Sequence, residues 1–237
     1  MKIKVVLFDL DGTLLPMNQE VFTKTYFGLL AQKLVPQGYD AKDLVDAIWA
    51  GTKVMVKNTG EKTNEEAFWD FFAEVFGEKA REDITYFDEF YSQDFDKVQV
   101  SSGFNPMSSE VIKFIKEKGL RVALATNPIF PAIATEKRIK WAGLDKSDFE
   151  LVTTYENSSY CKPNKNYYLQ IINKLGVKAE ECVMIGNDVN EDMVAGELGM
   201  KVFLLTDCLI NKEEKDISQY PNGNFGELIK FIKNLDI

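Results

Sequence analysis

Five short apolar runs constrain this chain more than any other feature. They span Ile3 to Phe8, Arg121 to Ala125, Glu150 to Thr154, Cys182 to Ile185 and Lys201 to Leu205. Runs of this length, rich in branched and aromatic residues, predict buried strands. Helical patterns surround the last four: Pro106 to Lys118, Ile133 to Ala142, Asn164 to Leu175, Asn190 to Leu198 and Phe225 to Leu235. A proline near one start and Gly119, Gly143 and Gly176 just past the ends punctuate them. Asn164 is a plausible N-cap. Strands alternating with helices imply a parallel sheet covered on both faces.

The stretch from about Met17 to Val98 breaks this alternation. Val21 to Val35, Lys42 to Lys57, Asn64 to Phe76 and Ala80 to Phe95 all carry helical patterns. Thr63 and Glu66 fit a capping box ahead of the third. Phe68, Trp69, Phe71, Phe72 and Phe76 recur on that helix and predict a bundle core rather than an aromatic ligand box. The chain thus divides into an α/β core, residues 1–16 and 99–237, and an inserted helical cap, residues 17–98.

Composition excludes several chemistries. The 237 residues include no histidine, which removes histidine triads and His-ligated zinc. The net charge of −9 argues against a nucleic-acid partner. The three cysteines, Cys161, Cys182 and Cys208, are too widely spaced for a disulfide framework or a CxxC site. Cys161 adjoins Lys162 but has no visible base partner, so it reads as filler. No apolar stretch approaches the ~20 residues that span a bilayer, so no membrane association is expected. The first apolar run is too short for a signal peptide, and the expected location is cytoplasmic.

In open parallel sheets, reactive groups collect at the carboxyl ends of strands. The first run ends in Asp9-Leu10-Asp11-Gly12-Thr13. Alternation along a strand sends Asp9 and Asp11 to the same side. Such a pair can divide into nucleophile and general acid/base, or bind a hard cation. The second run ends in Thr126-Asn127, and the fourth in Gly186-Asn187-Asp188 with Asp192 four residues on. Lys162-Pro163 lies between the third and fourth. Each has a structural explanation alone, as a turn, a helix cap or a solvated lysine. Their order at successive strand ends is hard to explain as accident.

These four segments resemble the motifs of the haloacid dehalogenase superfamily of phosphohydrolases, and the inserted helices resemble the cap of many members. The whole is expected to be an α/β protein: a Rossmann-like parallel sheet core with helices on both faces, plus an inserted α-helical bundle cap. The resemblance implies that Asp9 is the nucleophile, forming an aspartyl-phosphate. It implies that Asp11 is the general acid/base. It places Mg2+ on the Asp9 and Asp188 carboxylates and the Asp11 backbone carbonyl. Lys162 would neutralise charge, Thr126 and Asn127 would bind phosphate oxygens, and Asp192 would orient Lys162 or a metal-bound water. Two features depart from the pattern. Lys162-Pro163-Asn164-Lys165 lacks a second proline, and Asn187 stands where many relatives carry aspartate or serine.

Asp11 favours phosphate esters, because relatives cleaving carbon–halogen or carbon–phosphorus bonds lack an acid there. The expected substrate is a small phosphorylated metabolite. A β-phosphoglucomutase-like phosphotransferase is the alternative, but such relatives typically place a histidine after the first motif. A catalytically idle binding protein on the same fold is a third, disfavoured by the intact Asp9, Asp11, Lys162 and Asp188. Asn18, Glu20, Thr52, Lys53 and Lys57 are polar cap candidates for substrate choice. Oligomeric state is left open.

Overall fold

A computed structural model describes residues 2–237. In chain order the first elements are β1 (Val5–Phe8), α1 (Gln19–Leu34), α2 (Ala41–Val56), α3 (Asn64–Phe76), α4 (Lys79–Glu82) and α5 (Ile84–Glu89). Then come α6 (Met107–Glu117), β2 (Arg121–Leu124), α7 (Ala132–Trp141), α8 (Lys165–Leu175), β3 (Cys182–Gly186), β4 (Lys201–Leu205), β5 (Asn222–Gly223) and α9 (Phe225–Lys233). The strands form one parallel sheet in the order β2-β1-β3-β4-β5. Phe8 is level with Leu124 on one side and Ile185 on the other, so three strand ends lie side by side. Alternate residues of β1 feed opposite cores. Val5 and Leu7 pack with Tyr168 and Ile171 of α8, while Val6 and Phe8 share a core with Val111 of α6 and Leu228 of α9.

Four departures from the sequence expectation have local causes. Glu150 to Thr154 makes a single bridge, Leu124 to Val152, rather than a strand. It runs along the outer edge of β2, and the Thr153 hydroxyl is taken up by the Thr126 carbonyl at 2.7 Å. Asn190 to Leu198 becomes a tight 3-10 turn beginning at Met193. The expected helix Ala80 to Phe95 breaks at Asp83, a buried carboxylate bonded to the Tyr39 hydroxyl at 2.9 Å and to Lys79 at 2.6 Å. It continues as α5, a π turn over Phe90–Asp94 and a 3-10 segment over Phe95–Ser101. β5 is an Asn-Gly pair, which reads as a turn in any sequence.

The inserted helices bury an aromatic interior. Phe68, Trp69, Phe72 and Phe87 meet ring to ring, with centroids 5.1–5.5 Å apart. A second cluster joins Phe22, Tyr26, Phe90 and Phe95. Thr63 and Glu66 form the capping box that starts α3. The insertion meets the core where Met17 bridges Ser102 and Asn18 N–H bonds Ser101 O at 2.9 Å. It meets it again at α3, where Asn64 is buried and its Nδ2 donates to Pro128 O at 3.1 Å. Among the described residues, no helix is long and apolar enough to cross a membrane.

Candidate active site

The chain leaves β1 at Asp9, whose N–H still bonds Ile185 O at 2.9 Å. The turn beyond needs a glycine at position 12. Its φ is +88°, and a Cβ there would come within 2.3 Å of Asn187 Nδ2. Each oxygen of Asp9 has one partner: Lys162 Nζ at 2.8 Å on Oδ1 and Thr13 Oγ1 at 3.1 Å on Oδ2. Thr13 also lies 3.0 Å from Asn187 Oδ1, and Asn187 Nδ2 donates to Cys208 O at 2.7 Å. Asn187 is therefore a buried brace between the tips of β1 and β3 and the segment beyond β4.

Lys162 is buried, and its Nζ bridges Asp9 and Asp192, the second at 2.6 Å. Burial opposes its charge, but Asp192 and Asp9 outweigh burial and hold the lysine protonated. Burial, opposed by Lys162, pushes Asp192 up to about 6. Asp192 Oδ2 also accepts the Asp188 N–H at 2.9 Å. A Cβ on Gly186 would lie 2.1 Å from that oxygen, so the close approach requires glycine. Asp188 Oδ1 accepts the N–H groups of Asn190 and Glu191 at 2.8 and 2.9 Å. Asn127 joins two loops, accepting Lys162 N–H at 3.3 Å and donating to Glu191 Oε2 at 3.1 Å. Thr126 is buried, its carbonyl taken by Tyr167 and Thr153 hydroxyls at 2.8 and 2.7 Å.

Asp11 has a partner that the sequence did not disclose. Arg138 of α7 is buried and forms an ion pair with Asp11 Oδ2. Its guanidinium lies 4.6 Å over the Phe130 ring, and its Nη2 and Nε bond Thr135 Oγ1 and Ala134 O at 3.2 and 3.3 Å. Asp11 Oδ1 is enclosed without any partner. Burial raises the Asp11 pKa, Arg138 opposes that rise and Asp9 adds to it; the net direction is upward. Glu191 is the second residue missed. Burial, opposed by Lys162, pushes it up to about 7. A signal for Arg138 existed. It lies on the α7 face that buries Ala134, Thr135 and Trp141, where a solvated arginine would not sit.

A cleft of about 440 Å³ collects these groups. Asp9, Asp11, Thr126, Asn127, Asp188 and Asp192 all line it, with Lys162 bonded just behind Asp9. The cap candidates divide. Asn18 caps α1 by accepting Val21 N–H. Lys53 and Lys57 line a separate surface hollow. Thr52 lines a cavity between the cap and the core. Cys161 is buried, and burial pushes its thiol up to about 12. Among the described residues, no three acidic, cysteine or histidine side chains already converge as an ion site. The expected set needs only two carboxylates and a backbone carbonyl. Its donors are hard oxygens, and five acids, the four aspartates and Glu191, outnumber the three cations, Arg138, Lys212 and Lys162, so the residues fit a hard dication.

A family model described as haloacid dehalogenase-like hydrolase matches residues 3–199. Pyrophosphatase PpaX of Halalkalibacterium halodurans is 26% identical over 202 residues, covering 85% of this chain and 82% of that protein. The Bacillus cereus (strain AH820) PpaX is 26% identical over 197 residues, covering 83% and 80%. Among solved structures, a phosphatase from Thermococcus onnurineus matches with TM-score 0.60 and 17% identity over 99% of this chain and 100% of that one. A 2-haloacid dehalogenase from Pseudomonas syringae pv. tomato matches with TM-score 0.66 and 17% identity over 98% of both. At that identity the two structures speak for the fold alone.

Proposed function

The chain belongs to the haloacid dehalogenase-like hydrolase family and is a phosphohydrolase, and on that premise we propose that it is a magnesium-dependent phosphatase of small phosphate esters, working through an aspartyl-phosphate. One observation carries this reading. Asp9 stands at a strand end, opens on the cleft, and is held through both oxygens beside a buried, protonated lysine. An Asp9 oxygen attacks phosphorus, and the bond to the leaving oxygen breaks. Asp11 delivers a proton to that oxygen, with Oδ1 the free atom to carry it. Water then attacks phosphorus, Asp11 takes its proton, and the Asp9–phosphorus bond breaks.

Lys162 neutralises the approach of two anions. It is kept in place by Asp192, so that it cannot follow the phosphate away from Asp9. The Thr126 hydroxyl and Asn127 N–H hold phosphate oxygens; no protein acceptor takes the Asn127 N–H among the described residues. The Asp9 and Asp188 carboxylates and the Asp11 carbonyl would hold Mg2+, which supplies positive charge against the phosphate. Residues 17–98 form the helical cap and residues 1–16 and 99–237 the catalytic body. Three unpaired thiols fit a reducing, cytoplasmic setting.

The test is turnover of p-nitrophenyl phosphate with magnesium. It should stop on chelation and fall at least ~10⁴-fold in Asp9→Asn. Unchanged turnover in that variant would sink the covalent step.

A further inference from the structure

Resting on the phosphatase reading, we propose that the leaving group is a neutral alcohol bearing one ring or a branched apolar group, seated in a cavity between the cap and the core. A cavity of about 160 Å³ lies between α1, α2, α3 and α5 of the cap and Ile129, Phe130, Pro131 and Tyr155 of the core. That volume is close to the ~150 Å³ at which an apolar cavity accepts one benzene ring. Its wall is mostly aromatic and aliphatic, and no described side chain in it is charged. It is not sealed from the chemistry. Gln19, Phe22, Thr23, Trp49, Ile129 and Phe130 line both it and the active-site cleft. A group bonded to the departing oxygen can therefore extend directly into it.

Three further observations narrow the occupant. First, the cap side of the cleft is uncharged as well: Met17, Gln19, Phe22, Thr23 and Trp49. The buried cations are committed, Arg138 to Asp11 and Lys162 to Asp9 and Asp192. Lys212, exposed on the core side of the cleft, pairs with no described carboxylate and could meet an anion at the cleft. A second anionic group reaching into the cavity, however, would be buried against apolar wall without a partner. Second, Trp69 lines the cavity, and its buried Nε1–H has no acceptor. It lies beside the Tyr155 hydroxyl but outside hydrogen-bonding geometry. One donor is thus left for an oxygen of the occupant. Third, Trp49 is 47% exposed at the shared mouth, an apolar surface that a passing ring would cover.

The experiment measures kcat/KM with magnesium for 2-phenylethyl phosphate, methyl phosphate and inorganic pyrophosphate. The phenyl ester should exceed the methyl ester by roughly 100-fold, the scale of burying an apolar group of that size. Thr52→Phe, and in parallel the smaller Thr52→Leu, fill the cavity from α2 and should cut that ratio at least ~10-fold. Turnover of methyl phosphate with a ratio near one, or a preference for pyrophosphate, overturns the proposal and leaves the phosphatase reading intact. If no ester is turned over, the phosphatase reading fails, and 2-phenylethanol binding decides the cavity separately. An emission change from Trp49 and Trp69 in the native chain, absent in Thr52→Phe, supports the site; no change at millimolar alcohol overturns it.

Discussion

The floor of the cleft and the interior of the cap solve opposite problems. On the floor, Lys162, Asp9, Asp192, Asp11 and Arg138 are linked by ion pairs and hydrogen bonds, and Gly12 and Gly186 admit no added carbon. In the cap, rings meet rings, and a void remains against the core. Buried charges tolerate only their own partners, because an orphaned charge in low dielectric is expensive. Apolar packing tolerates substitution of similar volume. With the leaving group seated as proposed, the contrast separates a fixed reaction from an adjustable choice of substrate. Chemistry is written in atoms that cannot move, and selection in surfaces that can be recut.

Several substitutions would break or sharpen that contrast. Lys162→Met should be the most severe. It leaves Asp9 and Asp192 as unpaired neighbours, at a cost of about 3–5 kcal/mol in denaturant titration near neutral pH. It should also lower phosphatase kcat at least ~10³-fold. Phe72→Ala in the cap should cost a comparable ~3–5 kcal/mol in Tm or urea midpoint. Its kcat should change far less, since the residue touches no cleft group. Equal losses of kcat in these two variants would erase the distinction between floor and cap.

Arg138→Met should cost about 3 kcal/mol by stranding Asp11. Adding Asp11→Asn should return part of that loss, so the double variant is more stable than additivity allows. Strict additivity would mean that the pair does not act as a unit. Thr63→Ala removes the α3 cap and should cost only ~1 kcal/mol, with kcat/KM nearly constant. The smallest effect is chemical. Burial holds Cys161 and Cys182 at about 12, so both stay protonated at pH 7–8. Iodoacetamide should label the less buried Cys208 first in the native protein, by mass mapping, and all three only after unfolding.

What the chain discloses before folding depends on whether a signal is local. β1, β2, β3 and β4 are legible because strands buried on both faces are apolar throughout. Glu150 to Thr154 is likewise rich in branched residues, but it borders only β2, and pairing is not encoded in that pattern. The site motifs are legible because each follows a strand end. Arg138 is not: its partner is Asp11, 127 positions away, and only the three-dimensional fold joins them. Glu191 likewise looks like one more surface acid until Asn127 and Lys162 enclose it. The void between cap and core is the extreme case. Phe68 and Trp69 are core residues, as their spacing predicts, yet they also border empty space that no pattern announces.

Asn64 carries a mechanical consequence. A plate attached along one edge can swing open. The inserted helices are attached along one edge where residues 16–18 and 101–103 pair, a second time at α7, where Lys137 bonds Asp96 at 2.7 Å and Trp141 stacks on Phe95, and again at Asn64. There the Asn64 N–H bonds Ser158 O at 2.8 Å, and its side chain reaches the loops that carry Asn127 and Lys162. Three separate fastenings oppose the swing unless they are released. The mouth of the cleft is then set by the side chains around exposed Trp49, and any shift of α3 is felt directly at the loops that carry Asn127 and Lys162.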